Sequence, residues 1–563
     1  MRHMLAMAAV TALVGCGSKS RDAARCEPAV IVEVAFPGAS AMEVEQGVVL
    51  ALEEVVRRAG PREMHAVAED GRALLLATPR GAVDAFARAV REGLQQVTTL
   101  PEAAGTPMVS VATPGPMVLV SLRGDMELAK LGRIADMVRH RLVAAPGVLG
   151  VDRFEGGEPV LRIELDPRRL AAVGLDLEAV ASAVRGARLD APAGSIRGGR
   201  EFVVRGVLGG VSDLGETIIS AEPVPIRLGD VAAIRESAAP GVAARVDGAP
   251  TALLLVRLAA ADTPIAIDPN ELPAGIDIAV LRLPGKACAA ALGLDQSFPA
   301  SSQTVHLRIE PVAGTAPRDS EALLDRIGTD LTAALRDAGI DGSVISLARP
   351  HPQVAIVTRD AAAGRTAASL AAGLRYPGAT IVSSGGDRIT EIVRLTHPDH
   401  DLLIAAAGEL GSGLEGAWMR TANARVPTLS VRLDDRAHSL GITAAQLATV
   451  LRAAAGELEV ARMWQGEAER RVVIGFGDGS DSVDQLLALP VAAPGGQVVP
   501  LSSVATLERE LSAATIERHD GHRVTHVVTS RAPGEPSLAE RLRETKAALT
   551  AAHPGLALEL VTP

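Results

Sequence analysis

Aromatic side chains are almost missing from this 563-residue sequence: six Phe, two Trp and one Tyr make up 2% of it. So few rings leave little on which to stack bases or planar ligands, and any pocket must be aliphatic or polar. Basic runs are missing too. Lys and Arg number 56 against 67 Asp and Glu, a formal charge of −11, and no stretch could track a phosphate backbone, which argues against nucleic acid as a partner. With three Cys, at 16, 26 and 288, disulfides do not build the core. No apolar run reaches the ~20 residues of a membrane-spanning helix; Arg, Asp, Glu or Pro breaks each one. Neither G-x-S-x-G nor G-x-x-x-x-G-K-[ST] occurs, so the sequence points to no catalytic residues, no cofactor and no enzyme.

What is present is a chain long enough for about three or four domains with a substantial core. Its apolar share of 48% is mostly Ala, Val and Leu. The one continuous apolar run, Met4 to Gly15, follows Arg2 and His3 and has the length of a secretory signal. "LVGC", Leu13 to Cys16, resembles the bacterial lipobox. It implies that residues 1–15 are a signal peptide and Cys16 is lipidated, with 16–27 a polar tether holding the protein to a membrane by acyl chains. Gly17 after that Cys resembles lipoproteins sorted to the outer rather than the inner membrane of the bacterial envelope, facing the periplasm. Cys26 and Cys288 remain, either as a disulfide permitted by an oxidising compartment or as two thiols.

The sequence repeats itself. "LRIELDPRRLAAVGLDLEAVASAVRG" (161–186) returns as "LSVRLDDRAHSLGITAAQLATVLRAAAG" (429–456), and "RVDGAPTALLLV" (245–256) returns as "RHDGHRVTHVVT" (518–529). Arg245 and Arg518, like Leu228 and Leu501, stand 273 positions apart. Two homologous halves follow, about 28–283 and 303–563. Within the first, "AVIVEVAF" alternates as a strand, and Ser40 with Glu43 forms a capping box before a helix that Gly60 stops. "HAVAEDGRALLLAT" contains an Asp-Gly turn, and "VDAFARAVREGLQQV" is a second helix. Strand, helix, strand, strand, helix, strand is the split βαβ, ferredoxin-like unit of an α+β fold. "TVHLRIEPV", "SEALLDRIGTDLTAALRDAG", "QVAIVTRD" and "GRTAASLAAGL" form its counterpart in the second half.

With "VEVAFPGASAMEVEQGVVLALEEVV", "LPEAAGTPMVSV", "APGVLGVDRFEGGEPVLRIELDPRRLAAVGLDLEAVASAV" and "IRLGDVAAI", the chain resembles the periplasmic porter and docking region of resistance-nodulation-division (RND) efflux transporters. The resemblance implies porter segments at 28–112 and 113–164, docking at 165–240, a porter return at 241–283 and a linker at 284–302. The second half follows with 303–390, 391–430, docking at 431–513 and a return at 514–563. It also implies a homotrimer and a small amphiphilic ligand held between porter segments. The partners it implies are an RND permease, a periplasmic adaptor and an outer-membrane channel. The family has a helical membrane bundle after each half, which carries its acidic proton relay; here the first half passes through 284–302 straight into the second. Transport driven by this chain alone is therefore not expected. Two readings follow: a lipid-anchored accessory of efflux, or an envelope scaffold or ligand-binding lipoprotein unrelated to it.

Local departures complete the reading. Where the second half has the helix "SLAERLRETKAALTAA", the first has only "TPIAIDPNE", with two prolines in nine residues. "HPDHD" (397–401) has metal-ligand residue types, but Asp399 is expected to cap a helix, as is Asp125 in the matching "RGDMEL". "GFGDGSDS" (475–482) lacks a full calcium-loop pattern and reads as a turn. Met108 and Met117 read as core filler on adjacent strand runs rather than as a soft-metal path. No metal site is expected.

Overall fold

A computed structural model describes residues 27–561 apart from 154–158, 188–190, 197–199, 205–210, 221–223, 239–243, 269–270, 288–302, 312–316, 348–351, 386–388, 415–416, 420–424, 455–457, 466–467, 477–482, 495–496, 532–533 and positions 102, 114, 266, 378 and 514.

Alternation builds the first strand, Ala29–Ala35: Val30, Val32 and Val34 are fully buried on one face, each contributing about 2 kcal/mol of apolar burial. The helical stretch that covers them starts as Ser40 and Glu43 close a capping box. It runs through Ala41–Val44, a π turn at Glu45–Val49, and Leu50–Arg58. Gly60, at φ +76°, ends it in a conformation that costs glycine little. Pro61–Glu69 and Arg72–Pro79 form a hairpin around Asp70–Gly71, followed by the helix Val83–Leu94 and the strand Met108–Ala112. This is unit one, and it is ferredoxin-like.

Unit two joins 115–153 to 244–287, with the helix Leu128–Val143 against its strands. The described residues between Leu258 and Asp277 contain no α-helix. In place of one, Ile265, Ile267, Leu272 and Ile276 fill the core beside Leu131 and Val138. Arg282 reaches from the edge strand Asp277–Ala287 to donate to the carbonyls of Ala261 at 2.7 Å and Thr263 at 2.9 Å, which fixes the replacement loop. Unit three, 304–385, has the helix Pro317–Asp337, whose Leu324, Ile327, Leu331 and Leu335 are buried at helical spacing. It also has a strand absent from the sequence reading, Gly342–Leu347. Unit four joins 389–419 to 515–561 and keeps its second crossover helix, Leu538–Ala552.

The halves interlace. One nine-stranded sheet is made of units one and four, joined where Pro61–Glu69 pairs with Thr515–His519. The other is made of units two and three, joined where Ala244–Val246 pairs with Gly342–Leu347. Neither half of the sequence is therefore a spatial unit.

The inserted segments interlace as well. A four-stranded sheet runs Ala232–Ala238, Pro159–Leu165, Ala468–Phe476, Leu458–Gln465, and its two central strands, one from each half, are parallel. One core under it mixes Leu161, Ile163, Val180 and Val184 with Val450, Val472, Ile474 and Phe476. Pro159–Leu165 and Arg425–Leu433 pair with inserted strands, so the inserted units begin ahead of the 165 and 431 boundaries drawn from sequence.

Candidate functional site

The repeated R-x-D-G motif sits at both seams between units. Asp247–Gly248 and Asp520–Gly521 are two-residue hairpin turns in which all four residues have positive φ, 53°, 81°, 47° and 88°, the combination a type I′ turn requires. Each Asp clamps the neighbouring unit's strand. Asp520 donates its N–H to Met64 O at 2.9 Å and accepts from Met64 N on Oδ1 at 2.9 Å. Asp247 does the same with Val344, at 2.8 Å in both directions. The motif's Arg turns back on the loop, Arg245 to Gly248 O and Arg518 to Gly521 O.

Beyond the clamp the seams differ. At the second, Arg245 pairs with Asp325, and both side chains are partly open to solvent. At the first, Arg518 spans two buried carboxylates: Nε and Nη2 donate to Glu53 at 2.9 and 3.1 Å, and Nη1 donates to Glu45 Oε1 at 2.8 Å. Arg523 adds a bidentate grip on Glu45 through Nε at 2.8 Å and Nη2 at 2.6 Å. Glu45 is 1% exposed and Glu53 2%. In an unbroken α-helix, residues eight apart project about 80° from each other around the axis. The π turn at Glu45–Val49 takes up that offset and lets both reach Arg518. Burial alone would push the Glu45 carboxyl up; the Arg523 and Arg518 guanidiniums outweigh it and hold the carboxyl below its usual range.

The face of the second sheet away from its helices is aliphatic: Met117, Leu119, Leu253, Leu255, Ile345 and Val357 belong to one buried cluster across that seam. A separate groove of about 720 Å³ lies outside the ends of the parallel strands of the inserted sheet, lined by Leu165, Asp166, Arg168, Val231, Phe476 and Leu489 among others.

The residues singled out from sequence fall as follows. Cys16, Cys26 and Cys288 lie outside the described residues, as does most of "GFGDGSDS". Asp399 caps its helix, accepting from Asp401 N at 2.9 Å and Leu402 N at 3.1 Å. These contacts, backbone hydrogen bonding from Leu402 first, hold its carboxyl below the usual range. His397 accepts from Asp399 N on Nδ1 and faces Pro554 O through Nε2, which closes the C-terminal turn. Asp125 is not a cap: the helix starts at Leu128 with Glu127 in that position and no side-chain bond. Met117 is buried core, but Met108 is 69% exposed and belongs to the other sheet, so it is not filler. Among the described residues, no group of three or more His, Cys, Asp or Glu could hold a metal ion. Sequence reasoning missed Glu45 and Glu53, whose only outward signal was charge at positions of a helix that should face the core.

Among the described residues, no helix is long and apolar enough to cross a membrane. No curated protein matched the chain. The AcrB/AcrD/AcrF family profile matches residues 26–268 and 392–552, most of both halves. Ferredoxin-like units repeated in two halves, with inserted units in each, agree with that match, and the chain belongs to the AcrB/AcrD/AcrF family of RND transporters.

Proposed function

We propose that this protein is a lipid-anchored porter and docking module that serves efflux as an accessory, binding substrates or assembling with RND components at the periplasmic face of the envelope. The supporting observation is that the described residues of the two halves build two interlaced nine-stranded sheets and a shared docking sheet, while only residues 288–303 connect the first half to the second. That stretch is shorter than the ~20 residues of one membrane-spanning helix. The module's role is then recognition and assembly, with the driving force supplied by a permease partner, and it has no catalytic activity of its own. The buried aliphatic face of the second sheet suits a small amphiphilic ligand if the units part there.

Self-association, of which the proposed homotrimer is one form, has separate support. Strand Pro159–Leu165 is flanked on both sides, whereas among the described residues its repeat, Arg425–Leu433, pairs only with Ala505–Ala513. An open strand edge of this kind can be completed by another copy.

Crosslinking in intact membranes, followed by identification of what is captured, tests the accessory role. Recovery of an adaptor, channel or permease supports it. Recovery of none leaves the alternative, an envelope scaffold or ligand-binding lipoprotein unrelated to efflux, for which the fixed loop of unit two speaks. The anchor has its own test: Cys16→Ala should release the protein from membranes and alter its processing.

A further inference from the structure

The face of the first sheet away from its helices carries a row of titratable groups across the seam of units one and four. His65 stands directly opposite His519 in the joining strand pair. The His65 ring lies 5.9 Å from that of His519 and 6.1 Å from that of His526, centroid to centroid. His526 Nδ1 is 2.9 Å from Glu517 Oε2, and His65 Nε2 is 3.9 Å from the same oxygen. On the next strand Arg394 approaches His526 Nε2 at 3.5 Å and pairs with the exposed Glu559. At the other end His519 Nε2 is 3.7 Å from Glu63 and 3.4 Å from Asp520, and His522 stands directly opposite His519 on the adjoining strand. Glu517 is 7% exposed and His526 3%. His519 Nδ1 is buried with no hydrogen-bond partner among the described residues.

We propose that this cluster makes the joint between units one and four acid-sensitive, so that protonation of its histidines loosens the Pro61–Glu69 to Thr515–His519 pairing. Charge count gives the direction. With neutral imidazoles, Arg394 and Glu517 balance inside the cluster. With three imidazoliums, four positive charges face the buried Glu517 carboxylate, with Glu69 further along the same face, while Glu63, Asp520 and Glu559 are at least half exposed and screened. A second N–H on His519 would also be buried without an acceptor.

Burial, then Arg394, pushes the His519 imidazole down against the pull of Asp520 and Glu63. A depressed imidazole contributes stability above the ordinary histidine range, and that stability is lost as pH falls below it. Glu69, on the same face beside Arg72, Asp70, Glu33 and Glu517, works in the opposite direction, because burial raises its carboxyl and protonation relieves it. Histidine variants therefore separate the two effects.

Amide hydrogen exchange on the full chain, corrected for the intrinsic pH dependence of exchange, tests the proposal at pH 7.5 and 5.5. Protection of segments 61–69 and 515–531 should fall about tenfold more than that of 244–246 and 342–347 at the other seam. H65Q/H519Q/H526Q should abolish the difference. If that variant does not fold, His65→Gln alone should reduce it while retaining the Glu517–His526 contact. Equal protection of the first seam at both pH values, or an acid response unchanged in the variants, would overturn the proposal.

Discussion

Met64 and Asp520 lie 456 positions apart in the chain and hold each other by two hydrogen bonds, N–H to O=C in one direction and N–H to carboxylate in the other. Val344 and Asp247 repeat the pair at the second seam. The aspartate must combine positive φ with a side-chain acceptor, which Asn can also do and Ala cannot. Asp520→Ala and Asp247→Ala should each cost about 1–3 kcal/mol, from a backbone donor left without its partner and a strained turn. Asp520→Asn should cost well under half as much as Asp520→Ala in urea denaturation.

The buried ion network predicts unequal seams. Glu45→Ala leaves the Arg518 and Arg523 guanidiniums short of a carboxylate in a dry site, and the expected loss is about 3–5 kcal/mol. Asp325→Ala removes the partner of a half-exposed Arg245 and should cost about 1 kcal/mol or less. Denaturant titrations of the two variants side by side check this; equal losses would contradict it.

Acid stability follows from the same carboxylate. Since the folded-state Glu45 carboxyl is held below its usual range, its stabilisation is present above about pH 4.5 and is lost as pH falls through the folded value. Glu45→Gln should therefore show a flatter decline of melting temperature between pH 5 and pH 3 than the parent. A parallel decline would remove Glu45 from the acid limb.

Arg282 predicts a local effect. Arg282→Ala frees the carbonyls of Ala261 and Thr263 at a cost of about 1 kcal/mol. Exchange of amides in 259–276 should rise while 128–143 stays protected. If both rise together, the loop is part of the unit's core folding rather than a lid on it.

Much of the local structure was readable from sequence. Ser40 and Glu43, Asp70 and Gly71, and Asp399 each act through neighbours within a few residues, so composition and spacing carry their roles. Pro264 and Pro269 likewise spoke in the sequence against a crossover helix, and among the described residues there is none between Leu258 and Asp277. What was not readable depends on distant backbone. Strand Pro61–Glu69 alternates like any strand and gives no sign that its outer edge belongs to residues 515–519. The R-x-D-G repeat was visible as a repeat, but its clamp needs a donor and acceptor on another unit. The π turn has no composition of its own, so the convergence of Glu45 and Glu53 was hidden. His65, His519 and His526 looked scattered because cross-strand pairing, not sequence distance, gathers them. Asp125 is not the cap because its helix begins at Leu128, which puts Glu127 in the cap position.

Interlacing sets an order in time. During synthesis unit one emerges early with the outer edge of Pro61–Glu69 unpaired and the carboxylates of Glu45 and Glu53 without Arg518. Their complement lies more than about 440 residues further along the chain and is made correspondingly later. Such an edge invites pairing with the wrong strand, and contacts this far apart in sequence form slowly. The nascent first half is thus a waiting template, and residues 515–561 complete the sheet that unit one begins.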